Sequence, residues 1–242
     1  MPDSPALAIS GLKFRYPGVP ADGWTVDVGS LELGRGEQML LSAGSGQGKS
    51  TLLQLIAGLL DPAEGRVAVA GQDVHALHGA RRDLFRGRTV GMIFQTFNLL
   101  HGFTALENVM AAMMFSAIPR REHRDRGAAL LSHLGIDRHG AEPDRLSVGQ
   151  QQRVAVARAV ACDPVLVLAD EPTASLDPEN AATAMDLIQA ACREKGAALL
   201  CTSHDPSMRE RFGRRAALAE LASEGAREHR PPRAAVGGTA WR

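Results

Sequence analysis

The sequence has few cysteines, no net charge and no long hydrophobic run, and each of these scarcities excludes a class of protein. Its three cysteines, Cys162, Cys192 and Cys201, are odd in number and lack the spacing of metal ligands. They predict reduced, mostly packed thiols in a cytosolic protein, and neither a disulfide framework nor a zinc site. Acidic and basic residues balance at 27 each, so nucleic acid is not an expected partner.

Hydrophobic runs are too short to cross a membrane. The longest, LLQLIAGLL at residues 52–60, is interrupted by Gln54, whereas a membrane-spanning helix needs about 20 apolar residues. The first ten residues, MPDSPALAIS, lack the apolar region of a signal peptide. Any role at a membrane is therefore expected to come through a partner chain. The length of 242 residues suits one large α/β domain or two small lobes, and the composition is ordinary for a globular protein.

Lysine is also scarce, so a lysine inside a glycine-rich stretch is conspicuous. Only Lys13, Lys49 and Lys195 are lysines, and Lys49 lies in GSGQGKST, residues 44–51. A buried strand is predicted before this stretch and a helix from Lys49 to Leu60 after it. In such a phosphate loop, backbone N–H groups face the phosphates, the lysine adds positive charge and the next hydroxyl binds Mg²⁺. The predicted nucleotide-binding residues are Gly44, Ser45, Gly46, Gln47, Gly48, Lys49, Ser50 and Thr51.

One residue departs from the phosphate-loop pattern, in which the first glycine falls at position 43. The residue there is Ala43. Alanine costs little where φ is negative, and about 1–2 kcal/mol where the loop requires a positive φ.

Two acidic residues, Asp170 and Glu171, directly follow the apolar run VLVLA at 165–169. Carboxylates at the end of a buried strand are poor for stability alone, because they resist desolvation. They suit a site that holds a metal and a water, with Asp170 on Mg²⁺ and Glu171 against the attacking water. The less specific alternative is that the pair only caps a helix.

The pattern along the chain alternates between strand and helix. Strands are predicted at 7–16, 24–28, 38–42, 67–70, 89–94, 165–169 and 197–202, and a helix at 178–194. From Thr104 to about Ala161 the pattern is helical. This order predicts an α/β fold with a parallel sheet, a helical insert and an antiparallel edge sheet. Residues 224–242, rich in Arg, Gly, Pro and Ala, predict a disordered tail.

Two further stretches point to one family. LSVGQQQR at 146–153, followed by VLVLADEPTASLD at 165–177, resembles the ATP-binding-cassette superfamily, and the likeness extends to about Ser207. LSVGQ is similar to the signature LSGGQ, with Val148 in place of the first glycine and Gly149 retained. The resemblance implies a P-loop NTPase with a RecA-like core, an antiparallel β-subdomain and an inserted α-helical subdomain. It implies one nucleotide-binding domain over 1–223, with the helical subdomain at about 95–161.

The resemblance also assigns roles to residues. It implies ATP and Mg²⁺ as ligands, with Glu171, His204 and Gln95 as catalytic residues, and Ser50, Gln95 and Asp170 as metal ligands. Tyr16, the only tyrosine, takes the place of the residue that stacks on adenine, with Phe14 as the alternative. The remaining predicted nucleotide contacts are Ser147, Gly149, Gln150 and Asp177.

The signature implies a second polypeptide. In this family the signature helix binds the γ-phosphate held by the other subunit's phosphate loop, which predicts a dimer, here a homodimer. A serine cap, a glycine and a helix N-terminus suit an anion. The simpler alternative is that Ser147 and Gln150, in S-x-x-Q spacing, form only a capping box. That alternative leaves Gly149 unexplained, since glycine in a first turn costs helix stability.

FNLLHGFTALENV at 97–109 narrows the resemblance to the lipoprotein-releasing and macrolide-exporter branch. The branch implies a separate integral membrane permease that moves lipids, lipoproteins or hydrophobic compounds. The chain is then expected on the cytoplasmic face of the membrane. An alternative is an ATP-dependent regulatory module of a membrane complex, without solute transport. DNA-repair ATPases of the superfamily need long coiled-coil insertions, and this sequence lacks sustained heptads.

Three other groups carry weaker signals. Met110, Met113 and Met114 lie on one helical stripe, which indicates either core or an adaptable groove for a membrane partner. His75 and His78 are predicted surface residues, because nothing nearby completes a metal site. A solvated face is predicted for four arginines: Arg81, Arg82, Arg86 and Arg88.

Overall fold

The computed structural model describes residues 4–18, 20, 23–44 and 46–223, which form two β-sheets and six α-helices. The first sheet is antiparallel, in the order β2-β1-β4-β5. Its strands are β1 (Leu7–Phe14), β2 (Val26–Leu33), β4 (Glu64–Val69) and β5 (Gln72–Asp73). The alternating pattern predicts β1 well, but β2 continues to Leu33, because residues 30–33 pair with the first half of β1.

The second sheet is parallel, in the order β6-β7-β8-β3-β9. Its strands are β3 (Gln38–Ser42), β6 (Val90–Ile93), β7 (Leu166–Asp170), β8 (Ala198–Ser203) and β9 (Arg214–Ala217). All four strand pairings are parallel, so the carboxyl ends of the strands meet at one edge. At that edge Asp170 lies opposite Thr202, and Ser42 lies opposite Ser203.

Six α-helices complete the fold. They are α1 (Lys49–Ile56), α2 (Ala80–Thr89), α3 (Ala105–Met113), α4 (Arg120–His133), α5 (Val148–Val160) and α6 (Pro178–Lys195). Helices α3, α4 and α5 lie between β6 and β7 in the chain, where only helical pattern is predicted. The fold is therefore the predicted mixed α/β architecture of P-loop NTPases, with an antiparallel subdomain and an inserted helical one. None of the helices in the described ranges has the length and apolar content needed to cross a bilayer.

Helix α5 contacts the other two helices of the insert as well as α6 and the parallel sheet. It packs against α3, α4, α6 and β6, and seven of its thirteen residues are buried. The buried residues Val154, Ala155 and Val156 belong to a core cluster shared with β7 and α6. Its N-terminus is therefore presented from a rigid base.

At Gly91 of β6 the backbone of α5 approaches the parallel sheet closely. A Cβ atom there would lie 2.1 Å from the backbone oxygen of Ala159. Gly91→Ala is expected to lower the free energy of unfolding by about 1–3 kcal/mol or more, because the packed strand and helix must separate. Urea denaturation measures the loss. The control is Gly140→Ala, whose Cβ would meet no atom within 4 Å; an equal loss in both variants would contradict the close-packing argument.

The prediction of a solvated arginine face is wrong for two of its four members. Arg82 and Arg86 are half-buried and donate to backbone oxygens at the end of α1, where helix carbonyls lack partners. Arg82 also forms an ion pair with Asp61 at 2.8 Å. Arg81 and Arg88 are exposed, as predicted.

The predicted histidine and methionine groups also contain both buried and exposed members. His75 is half-buried and bonds to Leu55 O and Asp61, while His78 is exposed. In the methionine stripe Met113 is buried, and Met110 packs against the same core. Met114, by contrast, is 61% exposed, so the stripe serves the core at one end and presents an apolar surface at the other.

Candidate active site

The phosphate loop joins β3 to α1, and two of its glycines adopt conformations that other residues avoid. Gly46 and Gly48 have φ of 72° and 85°. A Cβ on Gly48 would lie 2.4 Å from the backbone oxygen of Thr25, so only glycine fits there. Ala43 is not among the described residues with positive φ, so the loop accommodates this departure from the pattern without strain. Ser45 lies outside the described residues.

Lys49 holds its ammonium group inside the loop. The side chain is buried, and Nζ donates to the backbone oxygens of Ala43 and Gly44 at 2.9 and 3.0 Å. Its third contact is an ion pair with Glu171 Oε1 at 2.8 Å. The positive charge therefore lies where the loop, the start of α1 and the end of β7 converge. Such an arrangement suits a polyanionic ligand.

Glu171 lies between two predicted site residues. Its carboxylate bridges Lys49 through Oε1 and His204 Nδ1 through Oε2. The backbone of Glu171 has φ of 44°, a left-handed conformation that costs about 1–3 kcal/mol in a non-glycine residue. Its N–H donates to Thr202 O at 3.1 Å, which holds this turn against β8. Strain of this kind concentrates at functional sites.

The predicted metal ligands follow the strands of the parallel sheet and the phosphate loop. Asp170 ends β7 and accepts a hydrogen bond from Thr202 Oγ1 at 2.8 Å. Ser50 and Gln95 are exposed, and neither shares a hydrogen bond with Asp170 in the described part of the chain. A hydroxyl, an amide and a carboxylate are hard oxygen donors, so the set fits Mg²⁺ chemically. The described residues contain no His, Cys, Asp and Glu cluster that would suit another metal.

Tyr16 follows β1 and contacts the phosphate-loop helix. Its hydroxyl is 3.3 Å from Thr51 Oγ1, and its ring meets Phe14 edge-on, with centroids 4.9 Å apart. Tyr16 is 41% exposed, whereas Phe14 packs against the core of the antiparallel sheet. Of the two aromatic candidates, Tyr16 is therefore the one with a surface free for stacking.

The signature begins α5 with the capping box that its spacing predicts. Ser147 Oγ accepts from Gln150 N at 3.2 Å, and Gln150 Oε1 accepts from Ser147 N at 3.0 Å. The box leaves the Ser147 O–H free to donate to an anion. Gly149 is exposed, and a Cβ there would meet nothing within 4 Å, so no contact inside the protomer explains the glycine.

The signature opens onto a cavity of about 630 Å³. The cavity also adjoins the loop before α6, where Asp177 caps the helix by accepting from Asn180 N at 3.1 Å. This hydrogen bond, with a second from the Asn180 side chain, holds the pKa of Asp177 below its ordinary value. The lining of the cavity includes Ser147, Val148, Gly149, Gln150, Ser175, Leu176 and Asp177.

The predicted residues thus form two groups on one protomer. The first joins Lys49, Glu171 and His204 around the phosphate loop, and the second is the cavity between α5 and α6. The described lining of the cavity contains no phosphate-loop residue. The phosphate loop and the signature therefore lie in separate places on one protomer.

Two contributors to the site are absent from the sequence prediction. Thr202 is buried and bonds to Asp170 and to the N–H of Glu171. Arg158 of α5 donates to the backbone oxygens of Phe97 and Asn98, just beyond Gln95. A threonine at a strand end and an arginine in a helix are common, so neither carries a signal in the sequence.

Comparison with known proteins identifies the family. A family model described as ABC transporter matches residues 26–174. A lipoprotein-releasing system ATP-binding protein LolD 2 from Rhodopseudomonas palustris is 40% identical over 218 residues, covering 89% of this chain and 94% of that protein. The LolD protein of Anaeromyxobacter dehalogenans is 44% identical, covering 87% and 89%. The ABC transporter ATP-binding protein YtrE of Bacillus subtilis is 40% identical, covering 73% and 77%.

Solved structures agree. A dimeric structure of the bacterial ABC transporter cassette MJ0796 is similar with a TM-score of 0.76 and 30% identity, covering 87% of this chain and 93% of that one. A dimeric post-hydrolysis state of MJ0796 bound to ADP and Pi gives a TM-score of 0.73 at the same identity and coverage. Because the family model and these relatives span most of the chain, the protein belongs to the ABC transporter family, as one of its ATP-hydrolysing subunits.

Proposed function

We propose that this chain binds ATP with Mg²⁺ and, as a homodimer, drives a separate membrane permease that releases lipoproteins. The observation that carries the proposal is that the phosphate loop with Lys49 and Glu171 and the open cavity at the signature are separate on one protomer. The assignment of lipoproteins as the cargo is based on the LolD relatives, whose names describe a lipoprotein-releasing system. Residues 1–223 are proposed to act as one nucleotide-binding domain, with its helical subdomain at about 95–161.

ATP is proposed to bind with its adenine on Tyr16 and its phosphates in the loop formed by residues 44–51. The N-terminus of α1 and the Lys49 ammonium face the phosphates there. Lys49 now pairs with Glu171, so an incoming γ-phosphate competes for the same ammonium group. Binding would therefore free the Glu171 carboxylate for a water molecule.

Ser50, Gln95 and Asp170 are proposed to hold Mg²⁺, which neutralises charge on the β- and γ-phosphates when bound. Thr202 orients Asp170 by donating to its Oδ1. A carboxylate held in one orientation binds a metal more tightly, because it loses less conformational entropy on binding.

Hydrolysis is proposed to use Glu171, His204 and Gln95. Glu171 accepts a proton from the water that attacks the γ-phosphorus, and the bond to the ADP oxygen breaks. His204, already hydrogen-bonded to Glu171, orients that carboxylate and faces the γ-phosphate. Gln95 follows β6 at the same edge of the sheet and contributes its amide to the metal and water.

Dimerisation is proposed to complete each site. The signature of one protomer, through Ser147, Gly149 and Gln150, would contact the γ-phosphate bound to the phosphate loop of its partner. Asp177 lines the same cavity and would lie at the dimer contact. The MJ0796 structures are dimeric, which supports a dimeric assembly for this chain as well.

The permease is proposed to dock beside residues 94–98, around Gln95, which would place the chain on the cytoplasmic face of the membrane. A cavity of about 410 Å³ lies there between α2, β6 and the end of α3. Phe115 lines it and is 54% exposed, and the neighbouring Met114 is also exposed. Exposed aromatic and methionine side chains suit an apolar helix of a partner.

A reconstitution tests the proposal. The permease that co-purifies with the chain is placed in vesicles that contain a lipidated protein, and release into solution is measured with Mg-ATP. We expect the permease to raise ATP turnover by about 5–150-fold, the usual range of coupling between sites, and lipidated cargo to be released.

The same cargo without its lipid anchor is the control for passive loss. Stimulated ATP turnover without release of cargo would exclude lipoprotein as the substrate and favour the regulatory alternative. Unchanged turnover with every co-purified membrane protein would contradict the role of the chain as a permease-driving subunit.

A further inference from the structure

Arg158 connects the signature helix to the segment around Gln95. Its Nη2 donates to Phe97 O and its Nη1 to Asn98 O, both at 2.6 Å. The guanidinium carbon lies 6.0 Å from the centre of the Phe94 ring, within cation–π range. One side chain of α5 therefore contacts both ends of residues 94–98, here named the Gln95 segment. Burial lowers the pKa of Arg158, but a guanidinium keeps its charge at neutral pH.

The Gln95 segment has a strained backbone. Phe97 and Asn98 have φ of 58° and 46°, so two consecutive non-glycine residues lie in the left-handed region. Such residues persist only where their surroundings hold them. The two carbonyl oxygens that Arg158 holds belong to these same two residues. The guanidinium of Arg158 thus fixes the strained turn to α5 through two hydrogen bonds, beside the buried Phe97 side chain, which shares a core cluster with that helix.

The position of Arg158 along α5 gives the contact a direction. Ser147 caps the helix eleven residues earlier, about 16 Å away along the axis. Arg158 also lines the cavity that contains Phe94 and Phe115, beside the Gln95 segment. Helix α5 is unbroken from Val148 to Val160 and packs against α3, α4, α6 and β6, so one continuous, packed helix joins Arg158 to the signature.

We infer that Arg158 is a positioning residue that locks the Gln95 segment to the signature helix, so that pressure on the segment displaces Ser147 and Gly149 as well. The inference rests on the proposed function, because the pressure would come from the docked permease. Arginine suits this role better than lysine, since only its planar fork binds two adjacent carbonyl oxygens at fixed geometry.

Arg158→Lys tests the inference, because it retains the charge and removes the fork. In the reconstituted complex we expect permease stimulation of ATP turnover to fall about fivefold or more, with KM for ATP unchanged and a smaller loss of the basal rate. Arg126→Lys is the matched control. Arg126 is also half-buried and donates to a backbone oxygen of the α5 end, Ala161, at 2.7 Å, but it does not contact the Gln95 segment. Stimulation in this control is expected to match the unsubstituted chain.

Hydrogen exchange of the purified chain supplies a measurement without the permease. Arg158→Lys is expected to speed exchange at residues 94–98 and at residues 147–151 together, and Arg126→Lys at neither. Faster exchange confined to residues 94–98 would contradict the coupling. The coupling would also be contradicted if Arg158→Lys lowered basal and stimulated turnover by the same factor and lowered the denaturation midpoint as well. That pattern indicates a structural role only. If the unsubstituted chain is not stimulated, the proposed function fails, and the exchange result still decides this inference.

Discussion

Glu171→Gln is expected to reduce ATP hydrolysis by about 10²–10⁴-fold while preserving ATP binding, because an amide cannot accept the proton of the attacking water. The substitution also removes the negative charge that pairs with Lys49 at 2.8 Å. The γ-phosphate then competes with a neutral group for the ammonium, so ATP affinity is expected to stay equal or rise. A bound ATP that is not hydrolysed should hold the dimer closed.

Size-exclusion chromatography with Mg-ATP measures this closure together with phosphate release. Glu171→Gln is expected to elute as a dimer with ATP and as a monomer with ADP. The control is Glu194→Gln, a change of the same chemistry at an exposed carboxylate on the last turn of α6. Rapid hydrolysis by a Glu171→Gln monomer would contradict both the catalytic role of Glu171 and the shared site.

The parallel sheet is largely predictable from the sequence, because its inner strands are buried on both faces. Such strands must be apolar throughout, and VLVLA and the run before Thr202 show this pattern directly. The edge strand β9 is not predictable in this way. Its sequence is RRAA, and only its pairing with β3 makes it a strand. The sequence of α2 is equally polar, with no buried residue, and its position depends on Arg82 and Arg86 at the end of α1.

The candidate site, like the fold, can be predicted only in part from the sequence. Residues that belong to a contiguous motif, such as Lys49 and Glu171, can be predicted because one local turn places each of them. Their mutual contact cannot, since it depends on how β3 and β7 are separated by β8 in the sheet. The support from Thr202 and the left-handed backbone of Glu171 arise from the same tertiary arrangement. The signature is a different case, because both interpretations of its sequence apply to the same turn: Ser147 and Gln150 form the box, and Gly149 stays open.

Gly149→Leu is expected to leave the protomer intact and to reduce ATP turnover by about 10²–10³-fold, the usual effect of losing one donor to a developing anion. Gly149 has no neighbour within 4 Å of its would-be Cβ and does not need a positive φ. Within one protomer the substitution is therefore free of clashes, and leucine is a better helix former than glycine by up to about 1 kcal/mol. The denaturation midpoint should accordingly stay equal or rise.

Loss of activity without loss of stability would place the function of Gly149 in a second molecule. ATP binding to the monomer is expected to be unchanged, because the phosphate loop of the same chain lies outside the signature cavity. In the Glu171→Gln background, Gly149→Leu should prevent the ATP-dependent dimer on size exclusion, since the leucine side chain occupies the surface that the partner's γ-phosphate approaches. Gly213→Leu, at an exposed glycine that is equally open, serves as the control and should dimerise normally. A Gly149→Leu protein that still dimerises and hydrolyses ATP at the original rate would show that the signature contributes only a helix cap.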